Sequence, residues 1–185
     1  MDYGEFFVTG DDWGLVEVAP AENREHYAEV AHQFADHHKD TVFGPTGWAT
    51  PPFLLPGPVV PLSVRALRPE TLTEAFAGLL TPTTHVTSCV DFTGPPEPAP
   101  GCLAWKVPGE TAFVAGFYGR VADGILASLW WSPCPFDAPT PKALADALVR
   151  FGKSYRLLLA IGAESVINLE DRETMTRYLS YYHDE

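Results

Sequence analysis

Residues 155–161 read Tyr-Arg-Leu-Leu-Leu-Ala-Ile, a nearly continuous apolar run. An amphipathic helix would interrupt such a run with polar residues, so it predicts a strand covered on both faces. Upstream, Thr140 caps and Pro141 occupies the first position of a helix with Leu144, Leu148 and Phe151 inward and Gly152 at its end. Downstream, Gly162-Ala163 turns the chain into a second strand over 165–169. Asp171 then caps a last helix carrying Met175, Tyr178, Leu179 and Tyr182 on one face. Helix, strand, strand and helix follow one another within about forty residues, which points to an α+β fold with antiparallel pairing.

The rest of the chain extends this pattern. Residues 5–8 and 15–18 are short β-prone runs separated by the turn-forming Thr9-Gly10-Asp11-Asp12-Trp13-Gly14, the signature of a hairpin. A helix is expected from Pro20 to about His38, with Tyr27, Val30, Ala31, Phe34 and His38 forming its apolar stripe. Residues 62–67 read as a strand, and Pro69 opens a helix with Leu72, Phe76, Leu79 and Leu80 inward. Residues 83–92 are β-rich, with Val86, Val90 and Phe92 facing one way and His85, Thr87, Cys89 and Asp91 the other. Residues 102–107 and 111–118 pair around Pro108-Gly109, and the aromatic Trp130-Trp131 favours a strand over 125–131. Three proline-rich stretches, 44–61, 94–101 and 132–141, punctuate the chain without dividing it. The expectation is a single α+β domain over 1–185: a mostly antiparallel sheet with about four helices on one side.

Composition limits the function classes. The 185 residues carry 24 acidic and 12 basic side chains, a formal charge of −12. Residues 1–40 hold ten acids and two bases, so most of the excess lies at the N-terminal end. Nucleic acid and anionic membrane are disfavoured as ligands and a basic protein partner is favoured. No apolar run approaches a membrane span. Three cysteines at irregular spacing and an acidic, unsignal-like N-terminus fit a reducing, cytoplasmic setting.

Catalytic signatures are absent. The sequence holds no G-x-S-x-G, phosphate loop, dinucleotide fingerprint or C-x-x-C, and no cofactor is expected. Glu29-x-x-His32 with Asp36 could contribute to a metal site, but one such pair falls short of a full ligand set. The spacing favours an exposed polar helix face. His85, Cys89 and Asp91 could serve a thiol or metal chemistry, whereas a lone cysteine more often packs as a small hydrophobe. The candidate partner-binding residues are therefore Asp11, Asp12, Trp13, Glu22, Glu25, Glu29, Asp36 and Trp48, carboxylates to attract a basic surface and aromatics to anchor it.

The cadence of residues 140–182, with its strands 155–161 and 166–169 and the Glu170-Asp171-Arg172 opening of the last helix, resembles small acidic bacterial proteins of the immunity type, which neutralise toxins. The resemblance covers less than a quarter of the chain and carries no diagnostic motif. It implies a non-enzymatic protein that occludes a cognate basic toxin. A small metal-dependent hydrolase using Glu29, His32 and Asp36, and a subunit of a larger assembly, are the alternatives.

Overall fold

Leu157, Leu158, Leu159 and Ala160 are all buried, so the apolar run is a strand covered on both faces. The computed structural model describes residues 4–8, 15–39, 43–44, 47–48, 53–89, 95–108, 115–132 and 141–181. Along the chain lie β1 (Phe6–Val8), β2 (Val16–Pro20), a 3-10 turn (Ala21–Asn23) and α1 (Arg24–Lys39). The two-residue strands β3 (Phe43–Gly44) and β4 (Gly47–Trp48) follow, then a second 3-10 turn (Leu62–Arg65) and α2 (Pro69–Ala75). The middle of the chain supplies β5 (Thr81–Thr83), β6 (Val86–Ser88), β7 (Glu97–Pro98), β8 (Cys102–Lys106), β9 (Gly116–Ala122) and β10 (Ile125–Ser132). The C-terminal part adds α3 (Pro141–Tyr155), β11 (Leu157–Ile161), β12 (Ser165–Asn168) and α4 (Arg172–Tyr181).

Seven strands form the main sheet in the order β12-β11-β2-β10-β9-β8-β5, and each described pairing in it is antiparallel. A small sheet, β1-β6-β7, joins β1 to β6 in parallel. The architecture is α+β, as the sequence pattern predicts.

The main sheet has two unlike faces. One carries Val18, Leu157, Leu159, Phe117, Leu129, Trp105 and Trp131, packed against Leu144, Leu148 and Phe151 of α3, Met175 and Leu179 of α4, and Leu72 and Phe76 at α2. Burying each such large side chain contributes about 1.5–3 kcal/mol, so this layer dominates stability. The other face is covered in two places. Tyr27 of α1 packs on Ala19, Leu158 and Ala160. Phe6, Val8 and Val86 of the small sheet pack on Cys102, Ala104 and Tyr118. The helices therefore do not share one side: α1 takes the face opposite α3, because both faces of β2 and β11 are apolar and each requires a cover.

Three further expectations are corrected. Residues 5–8 and 15–18 do not form a hairpin. β2 is a central strand with both edges taken, by β11 and β10, so β1 pairs with β6 instead. Residues 62–67 are not a strand: the 3-10 turn Leu62–Arg65 is closed by Ala66 with φ 48°, and Leu62 and Leu67 are buried while Val64 is exposed. Residues 83–92 are not one strand. The chain leaves the main sheet after Thr83 and enters the small sheet at Val86, so His85 lies outside both strands. At the other end, α3 runs through Gly152 to Tyr155. Gly152 is there for close approach: a Cβ built on it would lie 2.3 Å from Leu169 Cβ and 3.0 Å from the Leu169 carbonyl carbon.

Candidate functional site

The α1 helix forms because Tyr27 and Val30 recur on its inner face, while His37, His38 and Lys39 suit the negative end of its dipole. The inner face holds one acid-linked pair. Tyr27 donates its hydroxyl to Glu17 Oε2 at 2.6 Å. Burial pushes the Glu17 carboxyl above the usual carboxylate range, partly opposed by that hydrogen bond. Burial and the adjacent carboxylate also raise the Tyr27 phenol. Glu17 is thus tied into the fold and is not a surface charge.

The outward face of α1 and the turn before it carry Glu22, Glu25, Glu29 and Asp36, all exposed as the helical period predicts. They are not equivalent. Glu22 contacts the Arg65 guanidinium and lies 3.6 Å from Arg156 Nη1, so its charge is met within the fold. Its own backbone N–H, followed by these arginines, holds its carboxyl below the usual range. Asp36 accepts a 2.6 Å hydrogen bond from Lys39, which lowers its carboxyl as well, and His32 Nε2 stands 3.6 Å away. Glu29 accepts from Gln33 Nε2 at 3.0 Å. Among the described residues, no cation lies within ion-pair distance of Glu25 or Glu29.

A proline-rich strap, residues 53–60, runs along α1 in the opposite direction. Asn23, fully buried, grips its end: Asn23 Nδ2 donates to the Val60 carbonyl at 2.8 Å and to the Pro20 carbonyl at 3.2 Å, and the Val60 N–H donates to Asn23 Oδ1 at 2.8 Å. One side-chain amide thus pairs with both backbone groups of Val60, as a neighbouring strand would. Further along, His26 Nε2 donates to the Gly57 carbonyl at 3.0 Å. The Phe53 ring then meets Phe34 edge-on at 5.4 Å and His37 at 5.6 Å. The strap's remaining large side chains point to solvent. Leu54 is 83% exposed, Val59 70% and Leu55 49%, and Val64 in the following turn is 54% exposed.

The other sequence-derived candidates are placed as follows. Asp11, Asp12 and Trp13 lie outside the described residues. Trp48 belongs to β4, paired through its backbone with Phe43. Glu29, His32 and Asp36 do not converge: Glu29 is engaged by Gln33, and only His32 and Asp36 approach each other. His85 is exposed whereas Cys89 is buried, and Asp91 lies outside the described residues. Among the described residues, no group of three or more His, Cys, Asp or Glu side chains is arranged to hold a metal ion. Also among them, no helix is long and apolar enough to cross a membrane.

A feature not read from the sequence is an open cleft of about 730 Å³ between α2 and the β5–β8 edge. Its walls carry Glu70 and Glu74 on one side and Glu5 and His85 on the other, over Pro82, Leu103 and Trp105. Thr83 donates to Glu5 Oε2 at 2.5 Å, and Trp105 Nε1 donates to Thr73 Oγ1 at 2.9 Å. Glu5 and His85 stand far apart in sequence and meet only because β1 and β6 pair in parallel, so no local motif announces the cleft. No protein-family model matches the chain, and neither the curated proteins nor the solved structures gave a match.

Proposed function

We propose that this chain is a non-enzymatic acidic binding protein, most concretely a bacterial immunity protein or inhibitor that neutralises a basic toxin domain by occluding it. The observation that carries this reading is the outward face of α1, where Glu25 and Glu29 stand exposed, one turn apart and without a cation among the described residues. Two like charges at i and i+4 cost the isolated helix a few tenths of a kcal/mol, a cost that a basic partner removes on binding. The net charge of −12 adds long-range attraction for such a partner. Occlusion then needs no chemistry: carboxylates steer a basic surface into place, and apolar contacts hold it there.

The steering role is testable with an oligolysine peptide as the basic ligand. Changing Glu25 and Glu29 together to glutamine is expected to lower its association rate about threefold to tenfold at low salt. The difference should fade as added salt shortens the screening length. Thermal stability should not fall, and should rise slightly as the mutual repulsion is removed, since neither carboxylate has a cation partner among the described residues. Equal association rates for the two proteins at low salt would remove α1 as the steering surface.

A further inference from the structure

We infer that the cleft between α2 and the β5–β8 edge is a binding site for a small organic cation, one that carries ammonium groups on an apolar chain. The inference stands apart from the α1 reading. α1 covers β2 and β11, whereas the cleft lies at β5, the far end of the main sheet.

The cleft is one continuous cavity of about 730 Å³, within the range that small-ligand sites occupy. Its base is apolar. Trp105 and Ala104 are buried beneath it, and Leu103, Pro69 and Pro82 line it nearer the surface. Such a base favours methylene groups over water.

The polar groups of the walls select the rest of the ligand. Thr73 accepts from Trp105 Nε1 and donates to the Pro69 carbonyl at 3.3 Å. Thr83 accepts from the His85 N–H at 3.0 Å and donates to Glu5 Oε2. Both hydroxyl groups are therefore used within the fold. What the walls still offer is mostly acceptors. Glu70 and Glu74 stand one turn apart on α2, exposed and with no ion-pair partner among the described residues. On the other wall, Glu5 Oε1 lies 3.9 Å from His85 Nδ1. An anionic ligand would meet like charge, with Thr84 and His85 as its side-chain donors. An ammonium meets carboxylate acceptors on both walls.

Basic side chains do not cancel this wall charge. Among the described residues, no lysine or arginine lines the cleft. Lys106 donates to the Glu5 carbonyl at 3.0 Å. Arg150 lies in a separate depression between α2 and α3, which it shares with Glu74. Arg68 precedes α2 and does not line the cleft.

The experiment is calorimetric titration of the full chain with octane-diamine, butane-diamine and magnesium chloride. Octane-diamine should bind at one saturable site, at least about tenfold tighter than butane-diamine, because its longer chain covers more of the apolar base. Magnesium, which brings the same charge without the chain, should not displace it at equal concentration. Changing Glu70 and Glu74 together to glutamine should weaken octane-diamine about fivefold or more. The same change at Glu164 and Glu170, exposed residues by the opposite sheet edge, should leave its affinity as it was. Both variants should melt as the parent does, since the altered side chains are exposed. Absence of octane-diamine binding overturns the site. Equal affinity for the two diamines, or displacement by magnesium, would reduce it to charge attraction and overturn the proposed ligand. Equal weakening in the two variants would spread the binding over the whole acidic surface and overturn the cleft, while leaving the α1 reading to its own test.

Discussion

Alanine at Gly152 is expected to destabilise the protein by about 2 kcal/mol, against the direction that helix propensity alone would give. Gly152 lies in the last turn of α3, where replacing glycine by alanine normally favours a helix by up to about 1 kcal/mol. Here the added Cβ would sit 2.3 Å from Leu169 Cβ and 3.0 Å from its carbonyl carbon. Leu169 is fully buried in the main core and directly follows β12, so it has no solvent to move into. Either α3 lifts from the sheet or the β12 end shifts, and both loosen the layer formed by Phe151, Leu157 and Leu179. Valine should cost still more. Denaturant unfolding of the two variants decides the matter, and a Gly152→Ala protein more stable than the parent would show that this contact is not tight.

Alanine at Asn23 is the second large effect, about 2–3 kcal/mol of stability. The residue is fully buried and makes three hydrogen bonds, two with Val60 and one with Pro20. Alanine keeps the 3-10 turn but leaves a backbone N–H and two carbonyls without that partner. The consequence is also local. Val60 is the joint between the strap and the buried Leu62, so amide exchange at Val60 should accelerate far more than in β11. Uniform acceleration across the chain would mean that Asn23 stabilises the whole fold and not the strap in particular.

These two residues also mark what could be read in advance. The C-terminal unit was legible because its signals are local. The apolar run at 157–161, the inward spacing of Leu144, Leu148 and Phe151, and the Asp171 cap, whose Oδ1 accepts from the Thr174 N–H at 3.1 Å, all act within a few residues. Gly152 reads as a helix stop, since sequence does not distinguish a glycine that ends a helix from one that lets another segment approach. The pairing of β1 is hidden for a related reason: its partner β6 lies some eighty residues away, with Phe6 opposite Val86. Turn-forming residues nearby suggested a hairpin, but the buried, two-sided character of β2 excluded it.

The candidate site divides in the same way. Helical spacing placed Glu22, Glu25, Glu29 and Asp36 on the outside of α1, where they are found. It could not show that Arg65 and Arg156 compensate Glu22, because those arginines come from the second 3-10 turn and the turn between α3 and β11. The strap was harder still. A segment reading Phe-Leu-Leu-Pro-Gly-Pro-Val-Val suggests burial by composition, yet only Phe53 packs closely while Leu54 and Val59 are turned outward. The direction in which a non-repeating segment presents its side chains is set by its tethers, here Asn23 and His26.

The exposed carboxylates Glu25 and Glu29 of α1 are the proposed steering surface for a basic partner. The most direct measurement is a map of backbone amide shifts in the full chain as an oligolysine peptide is added. Shifts are expected to concentrate at residues 22–36 and to saturate together with a single affinity. Shifts confined to the cleft around Glu5, Glu70, Glu74 and His85, or spread evenly over every acidic side of the protein, would contradict it.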